Sequence, residues 1–142
     1  MIQIETIESR QNKLVKELRR LAESKRARLD ACLVVSEGDH LLRTMLDAGV
    51  QPTVVAVASR ALMSDSLQAL LVQCRDARIV SIADAVFDQI APADSPVGVL
   101  ALAPLATPAM SLDIEADTLV LEAVQDPGNV GSLIRTAVAA GI

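Results

Sequence analysis

The sequence predicts an α/β protein in which helices cover a largely parallel sheet. Short apolar, β-branched runs alternate with amphipathic helix-like segments from residue 9 to about residue 103, an order typical of layered α/β domains. Hydrophobic residues make up 51% of the 142-residue chain, enough for a sizeable core. Phe87 is the one aromatic residue, so this core must be packed almost entirely from aliphatic side chains.

The first predicted helix is the longest. It is expected to begin with Ser9 or a neighbour as its cap and to run to about Leu29. One apolar stripe recurs along it at helical spacing, with basic residues around the rest of the circumference. The stripe consists of Leu14, Val15, Leu18, Leu21 and Ala22.

The following segments are assigned from their composition and from the residues that begin and end helices and strands. β-Branched apolar runs predict strands, while glycines end helices and Ser64, followed by Asp65, is suited to cap one. The predicted strands are 31–35, 53–58, 78–82 and 97–103, the last one opened by Pro96, and the predicted helices are 39–49, 64–74 and 83–90.

A proline-containing stretch divides the chain. Residues 103–109 carry two prolines and lack periodicity, which is typical of a linker. We therefore predict a first domain over 1–106, a linker over 107–117 and a second segment over 118–142. In that segment residues 118–124 predict a buried strand, Asn129 is placed to cap a helix over 130–140, and Gly141 ends it.

The charge is distributed unevenly. Residues 1–28 contain eight basic and four acidic side chains, whereas the rest of the chain contains five basic and fourteen acidic ones, which gives the net charge of −5. Because phosphate neutralisation requires Lys and Arg, an acidic surface binds nucleic acid poorly. If this chain binds RNA, the first thirty residues are the expected place.

Several other function classes find little support. No apolar run approaches the roughly 18 residues of a membrane helix, and no signal-peptide core is visible. A metal site is not expected, because His40 is the one histidine and no CxxC occurs. Cys32 and Cys74 both lie in apolar surroundings and are predicted to be buried free thiols, which suits a reducing cytoplasm.

The end of the chain carries the most specific motif. Residues 125–142, QDPGNVGSLIRTAVAAGI, resemble the first signature motif of the SpoU/TrmH family, RNA ribose 2′-O-methyltransferases of the SPOUT class that use S-adenosylmethionine. Residues 1–103 resemble the small substrate-binding domain that precedes the catalytic domain in this family and is related to RNA-binding ribosomal proteins. The matching segments are 7–13, 16–18, 33–38, Phe87 and 95–101.

This resemblance implies a small three-layer α/β RNA-binding domain followed by the first strand–helix unit of a SPOUT, trefoil-knot domain. It also implies rRNA or tRNA as partner, S-adenosylmethionine as cofactor, and a homodimer of the complete enzyme. In the family the cofactor pocket is built by later motifs around the knot, none of which occurs in this chain. The chain is therefore expected to be a truncated enzyme that alone only binds RNA. The alternative is a non-enzymatic RNA-binding module.

The resemblance also assigns catalytic residues, Asn129 and Arg135. A helical wheel sets Arg135 opposite the apolar face, with its head leaning toward the 126–129 turn and the free N–H groups there. A guanidinium group stays protonated, so we expect it to clamp a phosphate in bidentate fashion rather than to act as a base. The alternative is that Asn129 only caps the helix and Arg135 is a solvated surface residue.

On the first helix, the resemblance assigns RNA binding to Arg10, Asn12, Lys13 and Lys16. The alternative is an ordinary solvated face, held by the i,i+4 ion pairs Lys13–Glu17 and Arg19–Glu23.

Overall fold

The protein is described by a computed structural model over residues 4–91, 97–106 and 115–142. The chain divides into two compact units, Met1–Ala106 and Thr107–Ile142. The predicted linker falls largely on residues outside the described ranges, as do Pro96 and the matching segment's Ser95. In chain order the first unit contains β1 Glu5–Ile7, α1 Lys13–Glu23, α2 Lys25–Asp30, β2 Leu33–Glu37, α3 Asp39–Asp47, β3 Val54–Ala58, a 3₁₀ helix Ser59–Met63, α4 Asp65–Leu71, β4 Arg78–Ile82, α5 Asp84–Phe87 and β5 Val99–Pro104.

The five described strands form one mixed sheet in the order β1-β4-β3-β5-β2. β3 and β4 are parallel, in keeping with the predicted largely parallel sheet, and β1 is parallel to β4, whereas β5 is antiparallel to both β3 and β2. Among the described residues, the connection between β4 and β5 contains only the four-residue helix α5, about 6 Å long against about 17 Å for a five-residue strand, and β5 runs antiparallel to β3.

The sheet is covered on both faces, which confirms the three-layer α/β arrangement. α1, α2 and α5 cover one face, where Leu21, Ile82 and Phe87 are fully buried. α3 and α4 cover the other, where Leu42 and Leu71 are fully buried. Because successive strand residues point to opposite faces, β3 supplies both layers: Ala56 and Ala58 face the first, and Val55 and Val57 the second.

The first helix differs from the prediction at both ends. It begins at Lys13, and its cap is Asn12 rather than Ser9, since the Asn12 Oδ1 accepts the Leu14 N–H at 2.8 Å. It ends at Glu23, because the extended Ser24 breaks the helix and its hydroxyl caps α2 by accepting the Ala27 N–H. One predicted helix is therefore two, each with a side-chain cap.

The strand predictions are wrong at both ends of the chain: one strand was missed and one predicted strand does not form. β1 was not predicted, since only three residues pair with β4 and its apolar pattern is too short to count. Residues 118–124 were predicted to form a buried strand, yet they form none, and Val120 is 79% exposed. A strand needs a neighbour for its backbone hydrogen bonds, and the described part of the second unit offers none. The remaining helix of that unit is α6, Pro127–Ala140, ended by Gly141 at φ +88° as predicted.

Both cysteines are free, but only one is buried. Cys74 lies in the α4 layer, where burial raises the pKa of its thiol. Cys32 was predicted to be buried in a strand. It is instead exposed, in the turn before β2 and with φ +52°. Among the described residues, no helix combines the length and apolar character that a membrane crossing requires.

One buried leucine of α1 and one exposed leucine of α2 provide a matched test of the core. Leu21 is fully buried and Leu29 is 52% exposed. We expect Leu21→Ala to lower the free energy of unfolding by about 2–5 kcal/mol, and Leu29→Ala, with the same change of side chain, to lower it by about 1 kcal/mol or less. Chemical denaturation followed by far-ultraviolet circular dichroism is the measurement, since the chain has no Trp or Tyr. Equal losses in the two variants would contradict the packing of α1.

Candidate nucleic-acid interface

A groove of about 710 Å³ opens beside the start of α1. The almost completely buried Val15, Val86 and Ile90 form its floor, and these residues belong to the core layer under α1 and α5. Three cations, Arg10, Lys16 and Arg19, line it as well. The groove thus combines a fixed apolar base with positive charge.

The sheet order explains why the groove lies there. β1 and β4 are neighbours and parallel, so the segments that follow them leave the same edge of the sheet. The Ala83 N–H donates to the Ile7 carbonyl at 3.0 Å and extends this pairing to the start of α5. Residues 8–11 and α1 therefore lie beside α5, and Arg10 Nη1 donates to Gln89 Oε1 at 3.4 Å between them.

The structure places the four predicted RNA-binding residues differently from one another. Arg10 and Lys16 line the groove, whereas Asn12 and Lys13 do not. Asn12 instead caps α1 through its Oδ1, while its side-chain NH₂ group makes no hydrogen bond to the described residues. Lys13 is exposed on the first turn of the same helix.

The ion pairs of α1 decide which cations stay available. Arg19 pairs with Glu23 at 2.8 Å, as predicted. The predicted Lys13–Glu17 pair is wrong, because Glu17 accepts two hydrogen bonds from Arg20, at 2.7 and 3.1 Å. These bonds also lower the pKa of Glu17.

Lys13 and Lys16 therefore form no ion pair within the described part of the chain. Their ammonium groups can reach a phosphate without first breaking an internal contact. This favours the nucleic-acid interpretation of α1 over an internally neutralised face.

Arg19, Glu8 and Gln89 line the groove but were not among the predicted RNA-binding residues. Sequence analysis assigned Arg19 only to an ion pair with Glu23, although it lies three residues after Lys16 and so on the same side of the helix. Glu8 and Gln89 were not singled out. Helical spacing was enough to find Arg19, whereas no local pattern links Gln89, on another element, to α1.

In the second unit, Asp126 rather than Asn129 caps α6. The Asp126 Oδ1 accepts the Asn129 N–H at 3.0 Å, and Pro127 occupies the first helical position. The predicted anion site is thereby weakened, because Pro127 has no N–H and the Asp126 carboxylate already occupies the helix start. The Asn129 side chain itself makes no hydrogen bond to the described residues.

Arg135 folds back along α6, as the lean of helical side chains predicts. Its Nη2 donates to Ser132 Oγ at 3.2 Å. Gly131 allows this position, since a Cβ there would lie 3.3 Å from Arg135 Nη1. The guanidinium group is exposed and has no carboxylate partner among the described residues, so the N–H donors that Ser132 does not use are available to a phosphate.

Neither a metal nor an enclosed cofactor fits the residues present. The described residues contain no group of three or more His, Cys, Asp or Glu side chains that could hold a metal ion. In the described part of the second unit, residues 115–142, no residue is buried. One exposed helix and an extended segment cannot surround a ligand the size of S-adenosylmethionine.

Comparison with known proteins gives relatives of one kind. A 23S rRNA (guanosine(2553)-2′-O)-methyltransferase, RlmP of Bacillus subtilis (strain 168), is 29% identical over 137 residues, which cover 96% of this chain and 51% of that protein. This chain thus spans about half the length of the curated relatives it matches.

Solved structures agree with that result. An RNA 2′-O ribose methyltransferase is 26% identical with a TM-score of 0.74, covering 96% of this chain and 52% of that one. An AdoMet-bound rRNA methyltransferase from Sinorhizobium meliloti shares the fold, with 24% identity and a TM-score of 0.72, covering 99% of this chain and 52% of that one.

The family match covers most of the first unit, from the start of α1 into β5. The family model described as the MRM3-like substrate binding domain matches residues 12–101. A solved SpoU methyltransferase, AviRb from Streptomyces viridochromogenes, shares the fold, with 22% identity and a TM-score of 0.64, covering 92% of this chain and 49% of that one. Since the family match covers more than half of the sequence, the chain belongs to the family of MRM3-like substrate-binding domains.

Proposed function

We propose that the first unit binds RNA through the groove beside α1, as the substrate-binding part of an S-adenosylmethionine-dependent rRNA or tRNA ribose 2′-O-methyltransferase. One observation carries this proposal: Arg10 and Lys16 line a single groove, and Lys16 forms no ion pair with the described residues. The remaining surface is predominantly acidic. A polyanion is therefore attracted to α1 and repelled elsewhere.

For the catalytic step we propose that Arg135 clamps the phosphate next to the target ribose, and that Asn129 helps to orient the 2′-hydroxyl. The exposed guanidinium and the unbonded Asn129 amide support these roles. A guanidinium stays protonated, so Arg135 binds and orients but does not remove the hydroxyl proton. Because Asp126 occupies the start of α6, the positive charge of this clamp must come from Arg135 and not from the helix N–H groups.

The cofactor, the oligomeric state and the compartment belong to the same proposal. S-adenosylmethionine supplies the methyl group in the complete enzyme, and the AdoMet-bound structural neighbour supports this for proteins of this fold. A homodimer of the complete enzyme and a cytoplasmic location are proposed from the resemblance and from two free thiols. The alternative, a non-enzymatic RNA-binding module, requires the same groove but gives Arg135 no role.

The proposal that RNA binds at α1, over the groove and the adjoining Lys13, is tested by the salt dependence of RNA binding. We expect Lys13→Ala with Lys16→Ala to weaken binding and to flatten the plot of log affinity against log salt by about one unit per lost phosphate contact. Filter binding at several salt concentrations measures this slope.

The matched control removes the same charge from the other face of the sheet. Arg43, on α3, and Arg75, after α4, are exposed, and Arg43→Ala with Arg75→Ala should leave the slope almost unchanged. Equal slopes for both double variants would show that α1 attracts RNA only through net charge.

A second prediction concerns the cofactor. Because no described residue of the second unit is buried, we expect the 142-residue chain neither to bind S-adenosylmethionine nor to methylate RNA. Isothermal titration calorimetry and a methyl-transfer assay measure both. Micromolar cofactor binding would contradict this expectation and require a pocket within the chain.

A third prediction concerns Arg135 in the complete enzyme. If Arg135 grips a phosphate with two N–H groups, Arg135→Lys should lower turnover nearly as much as Arg135→Ala, about a hundredfold or more, because lysine lacks the planar fork. Cofactor affinity should be unchanged in both variants. Methyl-transfer rates near normal in the lysine variant would show that position 135 requires only a positive charge and not the planar guanidinium group.

A further inference from the structure

The groove contains one group that does not suit a phosphate. Glu8 lines it together with Arg10 and Lys16. Its carboxylate is exposed and forms no hydrogen bond or ion pair with the residues that the structure describes. A phosphate next to this carboxylate would be repelled. A carboxylate without a partner accepts hydrogen bonds only, so it favours a ligand that presents N–H donors.

The shape of the groove favours one nucleotide over a duplex. Its volume of about 710 Å³ lies within the range of about 300–1,000 Å³ typical of small-ligand clefts. Its floor, Val15 and Ile90 with Val86, is packed into the core and therefore rigid. The convex surface of an RNA helix does not enter such a cleft, whereas an unstacked base does.

The hydrogen-bonding groups of the four RNA bases then indicate which base fits beside Glu8. Guanine carries two adjacent N–H donors on its Watson–Crick edge, which match the two oxygens of a carboxylate. Uracil offers one N–H between two carbonyl oxygens, and adenine and cytosine place a ring acceptor beside their amine. The O6 and N7 acceptors of guanine also suit an arginine, and Arg10 is held in the groove only by a long, 3.4 Å bond to Gln89.

We propose that this groove holds one unpaired guanine base of the bound RNA, and that Glu8 selects it. Glu8 accepts the two Watson–Crick N–H groups, and Arg10 or Gln89 donates to the opposite edge. Lys16 neutralises a neighbouring phosphate. Stacking on an aromatic residue is excluded, since Phe87 is the chain's one aromatic and is fully buried, so the base lies against the aliphatic floor or an arginine plane. This inference rests on the proposed RNA-binding function of the groove.

The test measures the affinity of the 142-residue chain for short RNAs by fluorescence anisotropy. The probes are UUGUU, UUAUU, UUCUU, UUUUU, a version with inosine in place of guanine, and a twelve-base-pair duplex. We expect UUGUU to bind about tenfold more tightly than the other natural sequences. Inosine, which keeps one donor and loses the amine, should lie between, and the duplex should bind more weakly than UUGUU at the same salt.

Two glutamate variants then distinguish selection of guanine by Glu8 from a general effect of removing a negative charge. Glu8→Gln should abolish the preference for guanine while leaving or raising the affinity for UUUUU, because a negative charge is removed. Glu5→Gln is the matched control: it removes the same charge from β1, where Glu5 pairs with Arg78 and lies outside the groove, and the preference should persist. Circular dichroism verifies that both variants are folded.

The outcomes distinguish this inference from the proposed function. Equal affinity for all short RNAs, or a guanine preference that survives in Glu8→Gln, overturns the inference. If binding in these cases still depends on salt, the proposed RNA-binding function stands. A chain that binds none of the RNAs overturns both.

Discussion

The parallel pairing of β1 with β4 is the constraint on which the groove depends. Only three residue pairs form it, yet it fixes where the chain leaves the sheet and hence where α1 begins. Ile7, 3% exposed, anchors the strand in the core, whereas the Glu5–Arg78 ion pair at the other end is half exposed and contributes little. The stability of this short edge strand therefore rests on one apolar side chain and on backbone hydrogen bonds.

α1 serves the core and the surface with the same eleven residues. Leu18 and Leu21 pack against the sheet, and the lysines and arginines occupy the remaining circumference. Arg19 and Arg20 are partly neutralised by glutamates one turn away, while Lys13 and Lys16 are not. Charge alone is therefore a poor guide to the interface, because the ion pairs decide which cations a phosphate meets first.

The described part of the second unit, residues 115–142, shows the opposite situation: a well-capped helix with no buried residue. Asp126 and Gly141 satisfy the two ends of α6, so local interactions define its limits. Its apolar residues nevertheless remain accessible, with Leu133 and Ile134 42% and 49% exposed. A helix of this kind gains little from burial, so its limits are set by its caps and not by packing against the described residues.

The sequence by itself determined the helices with strong periodicity, the aliphatic core, strands β2 to β5 and the position of the positive charge. All of these depend on residues close together in the chain. It also carried the motif that resembles SpoU/TrmH methyltransferases. Tertiary structure alone decided the antiparallel β5, the short β1, the exposure of Cys32 and the meeting of Arg10 with Gln89. Each of these depends on which distant segments become neighbours in the sheet, and no local pattern of residues encodes that neighbourhood.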